Sequence, residues 1–204
     1  AKGLKILIDP GNLLFDYQIL EDWNKANLIL ITHKHQDHCH AEVIRKLIQN
    51  GAALFSSKEV EQSYPELKVH LLKSGDVLNY KGLQVEVTKA VHGYIPALKG
   101  EKEVRENIGF IISDGQKKVY VTSDTIGFPN NYKCNVLCLP VSNHGLTFGA
   151  IDAAMFAKET GADLVIPTHY DNPKYPADLE AVKKEMKKTG MNCKVLGIKE
   201  RVEV

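Results

Sequence analysis

The segment Thr32-His33-Lys34-His35-Gln36-Asp37-His38 constrains this chain most, because three imidazoles and a carboxylate follow directly on the apolar run 28–31. Core packing has no need of that density of metal-binding groups. In extended backbone, residues two apart point the same way, so His33 and His35 face one cation while Lys34 and Gln36 face elsewhere. Asp37 and His38, at the turn into the next helix, reach a second cation displaced from the first. Imidazole and carboxylate are borderline-to-hard ligands that suit zinc best and manganese or iron less selectively.

Four ligands from one loop do not complete two sites, so further polar residues are expected where other apolar strands end. His92 ends the run 83–91, Asp124 follows Val119-Tyr120-Val121-Thr122-Ser123, and His169 follows Val165-Ile166-Pro167-Thr168. A lone strand-end histidine is ordinarily hydrogen-bonded structure. Beside the cluster, these three become the expected remaining ligands of two divalent metal ions.

Two such ions lower the pKa of bound water from about 15.7 to roughly 7 and polarise a carbonyl or phosphoryl oxygen, so the expected reaction is hydrolysis. Asp37 and Asp124 are assigned to the catalytic centre as well as to the metals. His144, in Val141-Ser142-Asn143-His144-Gly145, is a candidate proton donor to the leaving group or oxyanion binder, with a solvated loop histidine as the alternative. Asp9 is read either as an oxygen partner for a ligand imidazole or as a turn cap. Thr32 and Thr168 are candidates for steadying the ligand loops, and Tyr94, Lys99 and Tyr170 for substrate contact.

The chain has 204 residues, 44% of them hydrophobic, which suits one domain over 1–204. Lys and Arg number 26 against 25 Asp and Glu, so no broad basic surface is available and nucleic acid is disfavoured as a partner. A small-molecule substrate is expected instead, with a nucleic-acid phosphodiesterase and a non-catalytic metal-binding protein as the rival readings. No run of about 18 apolar residues suggests a membrane span, and the opening AKGLKILIDP reads as a strand, so a soluble, cytoplasmic protein is expected. A homo-oligomer stays open, since an apolar dimer face has the same pattern as core.

The four cysteines are too scattered for a disulfide framework. Cys134 and Cys138 read as part of a buried strand, while the sequence does not decide whether Cys39, beside His38, is sensitive to oxidation. Strands are expected at 4–8, 28–31, 53–55, 69–72, 83–91, 108–113, 117–122, 136–141, 164–166 and 194–198. Helical spacing follows the histidine cluster, with Val43, Ile44, Leu47 and Ile48 on one face and Asn50-Gly51 as the stop. A second helix sets Ile151, Ala154 and Met155 on its apolar face before Gly161. A third spans 177–188, with Leu179, Val182 and Met186 on one side. The polar stretch 93–107 reads as a loop bordering the site.

In HxHxDH spacing and in the order of the later ligands, the chain resembles the metallo-β-lactamase superfamily. The stretches IDPGN, ITHKHQDHCH, AVHGY, VTSDTIG, LPVSNHG and IPTHYD look like its compact branch, which includes ascorbate-phosphate lactonase-like hydrolases. The resemblance implies an α/β (α+β) fold, a four-layer αββα sandwich with both metals at one sheet edge. It also implies one metal on His33, His35 and His92, a second on Asp37, His38 and His169, Asp124 between them, and a hydroxide nucleophile. Histidine at position 35 departs from the glutamate of oxygen-reducing di-iron relatives and favours hydrolysis. Family members usually carry a glycine-bearing strand or hairpin ahead of the segment matching residues 5–8, so either the protein is naturally trimmed or the given chain is incomplete, and one outer strand and part of the pocket wall stay open.

Overall fold

In the computed structural model, which describes residues 3–143 and 145–204, the apolar runs assemble into two sheets. The first is parallel and holds β1 (Ile6–Ile8), β2 (Leu28–Leu30), β3 (Ala53–Ser56) and β4 (Val69–Leu71) in that order. The second holds β5 (Val77–Tyr80), β6 (Leu83–Lys89), β7 (Ile108–Ser113), β8 (Lys118–Val121), β9 (Val136–Pro140) and β10 (Leu164–Thr168). It is antiparallel from β5 to β8 and parallel from β8 to β10. Among the described residues, five α-helices flank these sheets: α1 (Leu20–Trp23), α2 (Ala41–Gln49), α3 (Lys58–Ser63), α4 (Ala150–Thr160) and α5 (Leu179–Lys188).

β2 shows why the layers stack as αββα. Its alternate side chains divide between two cores, as the period of two in a strand requires. Leu28 and Leu30 pack between the sheets with Val85, Val87, Ile108 and Phe110. Ile29 and Ile31 pack outward under Val43, Ile44 and Leu47 of α2 and Val60 of α3. A strand buried on both faces needs a continuous apolar run, which residues 28–31 supply. On the far face of the second sheet, Tyr120, Leu137, Leu139 and Val165 meet Phe156 and Ala157 of α4 and Val182 and Met186 of α5.

Two expectations are corrected, and the open question of Cys39 is answered. Residues 194–198 form no strand: Cys193 makes a single bridge to Val165, and the chain then turns away, leaving Ile198 exposed. On α4, Ile151 and Met155 face out, and Ala153, Ala154, Phe156 and Ala157 face the sheet. Apolar residues occur around most of this helix, so spacing alone did not select its inner face. Cys39 is buried, and burial pushes its thiol well above the ordinary range, which disfavours the thiolate that oxidation needs.

β5, α1 and α3 have no counterpart in the sequence reading. β5 is only four residues long, with Val77 and Asn79 exposed and Leu78 and Tyr80 half-buried, and it pairs with β6 through the two-residue turn Lys81-Gly82. Both turn residues have positive φ, 46° and 85°, as the hairpin turn that matches strand twist demands. No helix among the described residues is long and apolar enough to cross a membrane.

Candidate metal centre

The strand ends of β1, β2, β6, β8 and β10 bring Asp9, the 33–38 segment, His92, Asp124 and His169 to one edge. Asp9 leaves β1 with φ 49°, Ser123 precedes Asp124 with φ 66°, and His169 itself has φ 62°. Non-glycine residues in this region persist where the surroundings over-determine them, and here one is a candidate ligand and two hydrogen-bond to candidate ligands.

Asp9 is the first organiser. Its Oδ1 accepts the Thr32 backbone N–H at 2.7 Å, and its Oδ2 accepts both the Thr32 hydroxyl at 2.7 Å and His38 Nδ1–H at 2.8 Å. Of the two readings for Asp9, the structure therefore supports the imidazole partner, and Thr32 steadies the loop as expected. Thr168 acts through its backbone, its carbonyl accepting the Val141 N–H at 2.9 Å.

Hydrogen-bond partners assign the proton on four imidazoles. The Thr32 hydroxyl hydrogen goes to Asp9 and that of Ser123 to Asn107 Oδ1 at 2.6 Å, so both oxygens are left to accept from His33 Nδ1 at 3.0 and 3.3 Å. His35 Nε2–H donates to the Lys102 carbonyl at 2.7 Å and His92 Nδ1–H to the Gly93 carbonyl at 2.6 Å. Carbonyls and carboxylates only accept. The nitrogens left over, His33 Nε2, His35 Nδ1, His38 Nε2 and His92 Nε2, all belong to one cluster of rings.

The inward atoms stand at ligand spacing. His33 Nε2 and His35 Nδ1, the ring nitrogens not engaged with Thr32, Ser123 or Lys102, are 3.2 Å apart. A tetrahedral zinc with Zn–N bonds of about 2.0–2.1 Å has ligand atoms about 3.3 Å apart. Asp124 Oδ2 lies 3.3 Å from His169 Nε2, 3.4 Å from His38 Nε2 and 3.8 Å from His92 Nε2. Asp37 Oδ2 lies 3.5 Å from His169 Nε2 and 3.9 Å from His38 Nε2. His38 Nε2, His92 Nε2 and Asp124 Oδ1 are buried without a hydrogen-bond partner, as is Nδ1 of His169. Native structures seldom leave buried polar atoms so, and here the donor set fits divalent cations.

Among the described residues, three groups of potential ligands each have their atoms within 4.8 Å of one another: His33, His35 and His92; Asp37, His38 and His169; and His33, His38 and Asp124. Asp124 thus groups with one member of each of the other sets. All seven expected ligands come together.

Charge is divided across the pocket. Burial, reinforced by the neighbouring imidazoles, pushes His33 well below its ordinary pKa. Burial opposes the charge on His38 too, but Asp124 and Asp9 raise it well above the usual value. Against the same desolvation, His38 and His169 hold Asp124 below the carboxylate range, and His169 with His38 does so for Asp37. Both carboxylates stay ionised and ready to bind metal.

A cleft of ≈890 Å³ opens on these groups, walled in part by Lys34, Tyr64, Leu98, Lys102, Lys174 and Tyr175. Tyr64 was missed because it caps α3, a helix too short to show periodicity. Tyr94 and Lys99 do not line the cleft, and Tyr170 gives its hydroxyl to the Leu196 carbonyl at 2.6 Å. His144 lies outside the described residues. The 93–107 segment does border the site, through two short 3-10 turns at Pro96–Leu98 and Gly100–Lys102.

Residues 1–169 match the sequence model of the Beta-lactamase superfamily domain. The chain is 29% identical to a UPF0173 metal-dependent hydrolase of Christiangramia forsetii, with 98% of this chain and 92% of that protein covered. It is 30% identical to one of Desulforamulus reducens, covering 89% and 83%. Among solved structures, Igni18, a metallo hydrolase from the archaeon Ignicoccus hospitalis, superposes with a TM-score of 0.77 at 26% identity, covering 96% of this chain and 88% of its own.

Proposed function

Because the chain belongs to the β-lactamase superfamily and is a metal-dependent hydrolase, we propose that it binds two divalent cations, zinc foremost, and hydrolyses a small-molecule ester, lactone or phosphoester. His33, His35 and His92 would hold one cation, Asp37, His38 and His169 the other, and Asp124 both. The observation that carries this reading is the proton arrangement: four imidazoles each have one nitrogen committed as donor and the other turned to a common pocket. When bound, such a pair of ions supplies an acidified water and polarises the scissile carbonyl or phosphoryl group.

The chain's own residues set the stage for that chemistry. Asp9 orients His38, the Lys102 carbonyl orients His35, and Thr32 with Ser123 orients His33. The cleft suits a small molecule, since ligand pockets run to about 300–1,000 Å³. Net charge near zero, +1, argues the same way against a polyanionic partner. His144 is assigned the proton delivered to the leaving group. Residues 1–204 act as one domain, in a reducing compartment such as the cytoplasm that keeps the four free cysteines as thiols.

The test is turnover of bis-p-nitrophenyl phosphate and a lactone series by the native, chelated and Asp124→Ala proteins. Hydrolysis that chelation abolishes, zinc restores and Asp124→Ala lacks supports the reading. Turnover indifferent to both chelation and Asp124→Ala contradicts it.

A further inference from the structure

The short helix α3 is joined to the metal centre by a closed circuit of hydrogen bonds. Glu59 Oε1 pairs with Lys34 Nζ at 2.8 Å, and its Oε2 accepts the backbone N–H groups of Arg105 and Glu106, each at 2.9 Å. The Glu106 carboxylate accepts the Glu59 N–H at 3.0 Å in return. From the other end of α3, the Tyr64 hydroxyl donates to the Lys34 carbonyl at 2.7 Å. Lys34, the residue between two candidate ligands, is therefore gripped at its ammonium and at its carbonyl.

The loop anchored by Glu59 returns to the same place. Lys102, three residues before Arg105, offers the carbonyl that accepts His35 Nε2–H. The partners of the other assigned imidazoles sit at strand ends or beside the ring itself: Thr32 and Ser123 for His33, Asp9 for His38, Gly93 for His92. His35 alone among these four depends on a distant loop, and that loop depends on Glu59. The Lys34 and Glu59 side chains are only 14% and 13% exposed, so solvent screens this pair far less than a surface ion pair.

We propose that Glu59 is a positioning residue for His35: its carboxylate locks the 33–35 segment to the 100–106 segment and so fixes the orientation and basicity of His35 Nδ1. The inference rests on the two-cation reading given above. A histidine ligand commonly needs such an oxygen on its other nitrogen, and losing one costs about 10–100-fold in metal affinity. Glu59 acts one step further out, through the loop that carries the oxygen.

Two measurements on the full chain test this. Zinc is titrated against a chromophoric chelator, and the His35 Nε2–H resonance is followed by proton–nitrogen correlation in the zinc-loaded protein. Glu59→Ala should weaken one of two zinc affinities by about 10–100-fold, leave the other at its wild-type value, and expose His35 Nε2–H to rapid solvent exchange. Glu59→Gln keeps a carbonyl oxygen for the Arg105 and Glu106 amides but sets an N–H2 against the Lys34 ammonium, so it breaks the link to the 33–35 segment and should behave as the alanine variant does. If Glu59→Ala does not fold, Glu59→Asp, whose shorter carboxylate cannot span both partners, carries the same expectation as the alanine variant. Two unaltered affinities, equal weakening of both, or an unchanged His35 resonance overturns the proposal. Failure of the wild-type protein to bind two zinc ions instead overturns the two-cation reading itself.

Discussion

Asp9 Oδ2 accepts His38 Nδ1–H at 2.8 Å while also holding the Thr32 hydroxyl at 2.7 Å, so one carboxylate orients a candidate ligand and the start of the loop that carries it. Replacing it by Asn keeps the shape and substitutes an N–H2 for one acceptor, which then meets a donor. Asp9→Asn is predicted to weaken zinc binding by about 10–100-fold, read by chelator competition. Wild-type affinity in this variant would show that Asp9 only caps the turn after β1.

Gly11 lies against the ligand loop so closely that a Cβ there would fall 1.7 Å from the Asp37 carbonyl oxygen and 2.8 Å from the His38 nitrogen. Both atoms are backbone and have no rotamer by which to escape. Gly11→Ala should destabilise the fold by about 1–3 kcal/mol or more, measured by urea denaturation, and should lower metal content by displacing Asp37. Unchanged stability would mean that the IDPGN turn does not pack as described.

The Glu59 carboxyl titrates below its ordinary value of 4.5: burial opposes ionisation, but the Lys34 ammonium and the Glu106 and Arg105 amides outweigh it. A carboxyl whose pKa is depressed by folding adds stability that is complete above the unfolded value and is lost as pH falls through the folded value. In chelated protein, the stability difference between wild type and Glu59→Gln should therefore be wide at neutral pH and narrow below pH 4.5. A difference independent of pH would remove the ion pair from the account.

Helix α4 separates what its spacing offers from what its packing selects. Phe156 is buried among Tyr120, Phe128 and Phe148, whereas Met155 is 54% exposed. Phe156→Ala should cost about 3–5 kcal/mol, and Met155→Lys should stay within about 0.5 kcal/mol, both read by urea denaturation. A large loss in Met155→Lys would restore the inner face suggested by Ile151, Ala154 and Met155.

The same contrast explains what could be read in advance. The seven ligand candidates were legible because four cluster in the loop after β2 and the other three follow apolar strands, and strand order carries them to one edge. The β2 run was legible because burial on both faces leaves no polar position. Glu59 and Tyr64 were not, since a six-residue helix shows too little periodicity and their bonds span 25 and 30 residues of sequence. Lys102 was hidden for another reason: its contribution to His35 is a backbone carbonyl, which every residue has. The false strand at 194–198 has the right composition, but after the bridge at Cys193 it finds no continuing partner on β10.

Anomalous diffraction from crystals grown with zinc tests the central claim most directly. The account predicts two peaks per chain, one among His33, His35 and His92 and one among Asp37, His38 and His169, with Asp124 adjoining both. A single peak, or peaks away from these residues, would contradict it.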